Sequence, residues 1–243
     1  MASEIEISQI KTLVREGESV NQIKEILDLP KSTVYYHFRK EVGQKQKENK
    51  IVIPEDEEIR GELCGIFAGD GSYHYTKNGN YKIKFHLNYK EEYWEILERF
   101  LKEKLGKSPF ICDNRESKVE LLYNSKTLYN LFDRCLDWTE NKTYSIRLGK
   151  NCSKDFKRGF ARGLIDTDGY RRPEHKRYVF SSASKYLRDD LYDVLNDLDI
   201  KSHKFEEKPG KEHHSIKFKL RITGNDVNRF NQDINPRKPK RKY

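Results

Sequence analysis

A short helical pattern occurs twice in this chain, first as Gly61-Glu62-Leu63-Cys64-Gly65-Ile66-Phe67-Ala68-Gly69-Asp70-Gly71 and again as Gly159-Phe160-Ala161-Arg162-Gly163-Leu164-Ile165-Asp166-Thr167-Asp168-Gly169. Gly61 and Gly159, Gly65 and Gly163, Asp70 and Asp168, and Gly71 and Gly169 are each 98 residues apart. A unit used twice, each copy ending a helix on an acid, predicts a body with internal two-fold symmetry. Such a body suits a partner that has a two-fold axis of its own, and duplex DNA is the commonest.

Charge agrees with that partner. Of 243 residues 36% are charged, and the net charge is +9. Residues 1–50 hold nine Lys/Arg against eight Asp/Glu, so +8 falls on the remainder, with five positive charges between Pro236 and Tyr243. A basic surface favours a polyanion, although it also serves solubility. No apolar run approaches the ~18 residues of a membrane span, and Met1 leads into polar sequence rather than a signal peptide. The expectation is a soluble cytoplasmic protein with no membrane partner, nucleoid-associated in a prokaryote. Cys64, Cys112, Cys135 and Cys152 form no C-x-x-C pair, so they read as reduced and no structural zinc is expected.

Residues 1–45 read as a small all-α domain of three helices. Ile7, Ile10, Leu13 and Val14 mark the first, which Gly17 ends, and Ser19 to Gln22 opens the second as a capping box. After Pro30 the third carries Val34 and Phe38 inward and Thr33, Tyr36, His37 and Lys40 outward. This resembles a helix-turn-helix DNA reader, with a protein-binding three-helix adaptor as the alternative. Residues 46–54 read as a linker, 55–150 as the first repeat, 151–235 as the second and 236–243 as a basic tail.

Each repeat reads αββαββα, giving an α+β fold of two pseudo-symmetric units. A turn is predicted at Asn78 to Asn80 and a hairpin tip at Asn114 to Ser117. In the strand at 81–88, Tyr81, Ile83, Phe85 and Leu87 alternate with Lys82, Lys84, His86 and Asn88; in the second repeat Ile216, Phe218, Leu220 and Ile222 alternate with Lys217, Lys219 and Arg221. One face of each sheet should pack on helices and the other present a cationic floor able to lie along a major groove.

Ala161 to Gly169 closely matches the LAGLIDADG signature, and Leu63 to Gly71 is a looser copy. With the αββαββα order and the closing Asn235-Pro236-Arg237-Lys238, residues 55–240 resemble single-chain LAGLIDADG homing endonucleases. The resemblance implies a monomer that binds double-stranded DNA through both sheets, with Arg237 and Lys238 adding contacts. It also implies metal ligation by Asp70 and Asp168, further ligands in the carbonyls of Gly69 and Thr167, and a basic residue where a strand meets the next helix. Lys185 holds that junction in the second repeat, as a candidate catalytic residue, and Asn88-Tyr89-Lys90 in the first.

The motif also has its own physical logic. Gly61, Gly65 and Gly69 share one helix face, as do Gly159, Gly163 and Thr167, so two helices can pack at backbone distance and bring Asp70 and Asp168 together. Two carboxylates beside two negative helix ends repel, and a hard divalent cation, Mg²⁺ or Mn²⁺, relieves this. The expected function is site-specific, Mg-dependent double-strand cleavage of phosphodiester bonds across the minor groove. The alternatives on the same fold are a non-cleaving transcriptional regulator and an RNA maturase, the latter with RNA as partner. No self-splicing intein residues flank the repeats, so a free-standing or intron-encoded protein is expected.

Overall fold

The computed structural model describes residues 3–42, 51–76, 80–113, 117–172, 175–208 and 216–238. The predicted turn at 78–80 and the hairpin tip at 114–117 fall largely outside these residues, as do 46–50 of the linker and 239–243 of the tail. The chain divides into two compact units, residues 1–50 and 51–243.

The first unit holds α1 (Glu4–Arg15), α2 (Val20–Leu27) and α3 (Lys31–Val42). Ser3 and Ser19 cap α1 and α2, while Glu6 and Gln22 reach back to the cap N–H groups, so both helices start on reciprocal hydrogen bonds. Gly17 at φ +90° and Asp28 at φ 49° turn the chain in left-handed conformations after each. Ile10, Ile23 and Val34, one per helix, are fully buried, and Phe38 packs against them.

The second unit begins earlier than the sequence suggests. Ile51 is buried in its core and the Val52 N–H donates to the Leu105 carbonyl at 3.2 Å, because the apolar end of the predicted linker gains more from burial than from water. The first repeat runs α4 (Glu57–Asp70), β1 (Gly71–Tyr75), β2 (Tyr81–Asn88), α5 (Tyr93–Leu105), β3 (Phe110–Asp113), β4 (Lys118–Asn124) and α6 (Lys126–Cys135). A connection follows, in which β5 (Leu136–Asp137) pairs with β6 (Arg147–Leu148) around the one-turn α7 (Lys142–Ser145). The second repeat runs α8 (Lys154–Asp168), β7 (Gly169–Arg172), β8 (Arg177–Ser182), α9 (Lys185–Asp197), β9 (His203–Glu207), β10 (Lys217–Thr223) and α10 (Asn225–Asp233). Both sheets are antiparallel with matching orders, β1-β2-β4-β3 and β7-β8-β10-β9. This is the α+β pair of αββαββα repeats that the sequence predicts.

The motif helices α4 and α8 form the centre. A methyl group at Gly61 or Gly65 would overlap the backbone carbonyl of Phe156 or Phe160, and one at Gly159 or Gly163 the carbonyl of Glu58 or Glu62. The helices therefore touch at their backbones, which larger side chains would forbid. Asp56 and Ser153 cap their starts, and Gly71 and Gly169 leave their ends in extended conformation, so each acid sits where helix becomes strand. One apolar cluster runs through both repeats. Ile83, Phe85 and Leu87 enter it from β2, while Lys82, His86 and Asn88 stay exposed on the opposite face.

Candidate functional site

The packing of α4 on α8 delivers Asp70 and Asp168 to one place. Both line a cavity of about 760 Å³ with Ser72, His86, Lys142 and Ser181, and a second of about 370 Å³ with Asn88, Glu91, Thr167 and Lys238. Among the described residues neither carboxylate accepts a hydrogen bond. Burial, with Glu91 adding to it, raises Asp70 to about 6, while Lys238 and Lys142 pull the other way. Burial and then the charge of Asp70 raise Asp168 to about 7, against the same two lysines. Buried carboxylates without donors are costly when ionised, and this pair has the chemistry of a hard cation site. Among the described residues no cluster of three or more His, Cys, Asp or Glu could hold a metal.

Two lysines approach the pair, one after each repeat. Lys142, on α7, donates to the Ala68 carbonyl at 3.1 Å and lies 4.8 Å over the Phe67 ring. Burial lowers it to about 8, with Asp168 and Asp70 opposing the fall. Lys238 contacts Glu91 at 2.9 Å and the Thr167 carbonyl at 3.5 Å. Sequence reasoning missed Lys142 because it lies in the connection rather than in either repeat. The available signal was its spacing: Lys142 and Lys238 follow their acids by 72 and 70 residues.

The other predicted site residues are placed differently. Lys185 is exposed in the first turn of α9, whose cap is Ser184, and is not among the residues lining either cavity. The Thr167 hydroxyl is spent on the carbonyls of Gly163 and Leu164, leaving its own carbonyl, where Lys238 sits, as the potential ligand atom. Gly69 faces Thr167, and its missing side chain makes room for the Thr167 hydroxyl. Arg237 is turned to Glu62 rather than to open solvent alone.

The polar sheet faces are less uniformly cationic than alternation suggests. Glu120, one strand over from β2, pairs with Lys84 at 2.7 Å and with His86 Nδ1 at 3.2 Å, and the Lys84 hydrogen bond holds its carboxyl below the ordinary range. His86 Nε2 also lies 2.7 Å from the Ser72 hydroxyl. Asn88 accepts from the Lys90 N–H at 3.0 Å, and Lys82 is exposed. On β10, Lys217 is exposed and Lys219 meets Glu207 at 2.5 Å. Arg221 lies 5.6 Å over Phe205 and, among the described residues, has no acidic partner. Arg172 and Arg177 face each other across β7 and β8, and Arg177 pairs with Thr223, so both share the Arg221 face. The sequence reading had not singled out these two.

In the separate helical unit, α3 exposes Tyr36 with the Lys40 ammonium 4.6 Å from its ring centroid, and His37 packs edge-on to Tyr36 at 5.0 Å. Thr33 is half-buried on the same helix. The result is an aromatic and basic surface.

Residues 155–235 match the family of LAGLIDADG-like domains. The chain shares its fold with the homing endonuclease I-DmoI. Mesophilic variants of that enzyme match with a TM-score of 0.54 at 20% identity over 74% of this chain and 97% of theirs. I-DmoI in complex with DNA and Mn matches at 0.52 and 19% identity over the same shares. Full-length DUF199/WhiA from Thermatoga maritima matches at 0.52 and 15% identity, over 79% of this chain and 60% of that one. No curated protein matches the sequence. Among the described residues no helix is long and apolar enough to cross a membrane.

Proposed function

We propose that this chain is a divalent-metal-dependent endonuclease that cuts both strands of a specific DNA site across the minor groove, acting as a monomer. The observation that carries the reading is the convergence of Asp70 and Asp168, two carboxylates on backbone-packed helices that accept no hydrogen bond among the described residues, with one lysine from the segment after each repeat beside them. The fold shared with I-DmoI, which has been seen with DNA and with Mn, supports it.

In this reading Asp70 and Asp168 hold the ion, Mg²⁺ or Mn²⁺, with help from the Gly69 and Thr167 carbonyls. When bound, the ion supplies charge neutralisation at the phosphoryl oxygens and a more acidic attacking water. Lys142 Nζ, lowered to about 8, holds a proton that can pass to a departing oxygen near neutral pH. Lys238 Nζ steadies charge on the opposite side of the acidic pair, and Lys185, outside both cavities, is left to touch the DNA backbone.

Recognition falls to the sheets. Lys82, Lys84, His86 and Asn88 in the first repeat and Lys217, Lys219 and Arg221 in the second face the DNA. Arg172, Arg177 and Arg221 are suited to guanine edges, which predicts a guanine preference in the half-site under β7 to β10. Thr33, Tyr36, His37 and Lys40 of α3 add a separate DNA contact. That aromatic and basic face also favours a second reading, a non-cleaving regulator that binds DNA through both units.

Incubating the full chain with a plasmid library bearing randomised inserts, with Mg²⁺ or with a chelator, decides between them. Linear product enriched in one sequence and only with Mg²⁺ is the expected result. Sequence-selective retention of DNA that stays intact under all metals would transfer the protein to the regulator reading.

A further inference from the structure

The segment that follows α10 is tied down by buried acidic side chains from both motif helices. Asp166, fully buried on α8, accepts the N–H of Arg237 at 3.0 Å on one oxygen and that of Lys238 at 2.9 Å on the other. Glu62, fully buried on α4, takes the Arg237 guanidinium through Nε and through Nη2, the latter at 3.0 Å. The same carboxylate receives Arg162 Nη1 at 3.0 Å. Arg162 in turn donates Nε to the Ile234 carbonyl at 2.6 Å and Nη2 to Glu58. The Arg237 guanidinium covers the Phe100 ring at 4.6 Å.

Each charge in this network has a partner, and the network reaches from Ile234 to Lys238 without a turn of regular structure. Its last residue is the lysine at the acidic pair. The first repeat has no counterpart: 98 residues back, Asp166 corresponds to Ala68, and Glu62 corresponds to Phe160 in the second copy. Lys142 is placed instead by α7 and the Ala68 carbonyl.

We propose that Asp166 and Glu62 are positioning residues that strap residues 234–238 across the paired helices, and that this strap, which Lys142 does not use, places Lys238 at the acidic pair. On the nuclease reading, for which this is a refinement, the two phosphodiester cuts depend on different supports. Loosening the strap then slows the cut that Lys238 serves and spares the other. Removing an outer partner of this kind typically costs about 10–100-fold.

Two measurements on the full chain test this. In metal-free protein, acylation with acetic anhydride followed by mass spectrometry compares Lys238 with Lys142. Asp166→Asn, Glu62→Gln and Arg237→Met should each raise Lys238 labelling severalfold and leave Lys142 unchanged. Arg237→Met leaves Glu62 with Arg162, so it tests the strap even if the two buried substitutions disturb folding. On a plasmid carrying the site selected by the unsubstituted chain, the same variants should accumulate nicked circles, with one labelled strand cut about 10–100-fold more slowly than its complement. Unchanged Lys238 labelling, or equal slowing of both strands, overturns the strap. An unsubstituted chain that cuts no DNA overturns the nuclease reading instead, while the labelling still decides where Lys238 is held.

Discussion

Lys142 donates to the carbonyl of Ala68 at 3.1 Å, two residues before Asp70, so a residue from the connection between repeats is fixed to the end of the first motif helix. The contact holds a lysine with its affinity for protons lowered to about 8 beside two acids. Lys142→Met should therefore lower single-turnover cleavage by about 10²–10⁴-fold and change DNA affinity little. In the unsubstituted protein the rate should fall above about pH 8 as Lys142 loses its proton. A pH profile whose upper limb survives Lys142→Met would remove this lysine from the chemistry.

The acidic pair also sets a stability profile in metal-free protein. Folded values of about 6 and about 7 lie above the unfolded carboxylate value near 3.9. The folded state binds protons that the unfolded state has released, so this contribution is complete below about 3.9 and disappears as pH rises through about 7. The melting temperature should fall between pH 5 and pH 8, and Mg²⁺ should restore part of it. Asp168→Asn should flatten that fall and raise the melting temperature at pH 8, measured by calorimetry in chelator.

Glu120 pairs with two members of the first sheet's polar face, the Lys84 ammonium and the His86 ring. Glu120→Gln should free Lys84 for phosphate, tighten DNA binding at low salt and steepen the slope of log K against log salt by about 1. Fluorescence anisotropy over a salt series reads both effects. An unchanged slope would mean that this face does not meet the phosphates.

The backbone contact of α4 with α8 makes a sharp stability prediction. Gly65→Ala or Gly163→Ala places a methyl group on a partner carbonyl and should cost at least about 3 kcal/mol, read by denaturant unfolding. Gly106→Ala is the control: its φ of +66° strains the backbone but nothing lies within 4 Å, so about 1 kcal/mol is expected.

Much of this architecture could be read in the sequence. Glycines at four-residue spacing forecast the helix contact, and alternation in residues 81–88 forecast which side chains face the core. What the sequence withheld depends on pairing between distant strands and segments. Glu120 meets Lys84 only through the β2–β4 register. Arg172, Arg177 and Arg221 become one patch only through the β7–β8–β10 register. Lys142 lies in the connection beyond the first repeat's last helix, so aligning the two motifs does not single it out, and only its spacing from Asp70, close to that of Lys238 from Asp168, points to it. Lys185 does hold a strand-to-helix junction, as the family resemblance implies, but its position at the start of α9 lies outside both cavities. The resemblance implies that Arg237 contacts DNA, whereas the fold also turns its guanidinium to Glu62, a pairing that no local pattern announces.

The most direct test is strand-resolved cleavage of the selected DNA site by Asp70→Asn, Asp168→Asn and the double substitution, alongside binding of the same DNA. Each single variant should bind DNA as tightly as the unsubstituted chain while losing double-strand cleavage, and the double variant should cut neither strand. Double-strand cleavage that survives in both single variants would contradict the assignment of these two acids as the metal-holding centre.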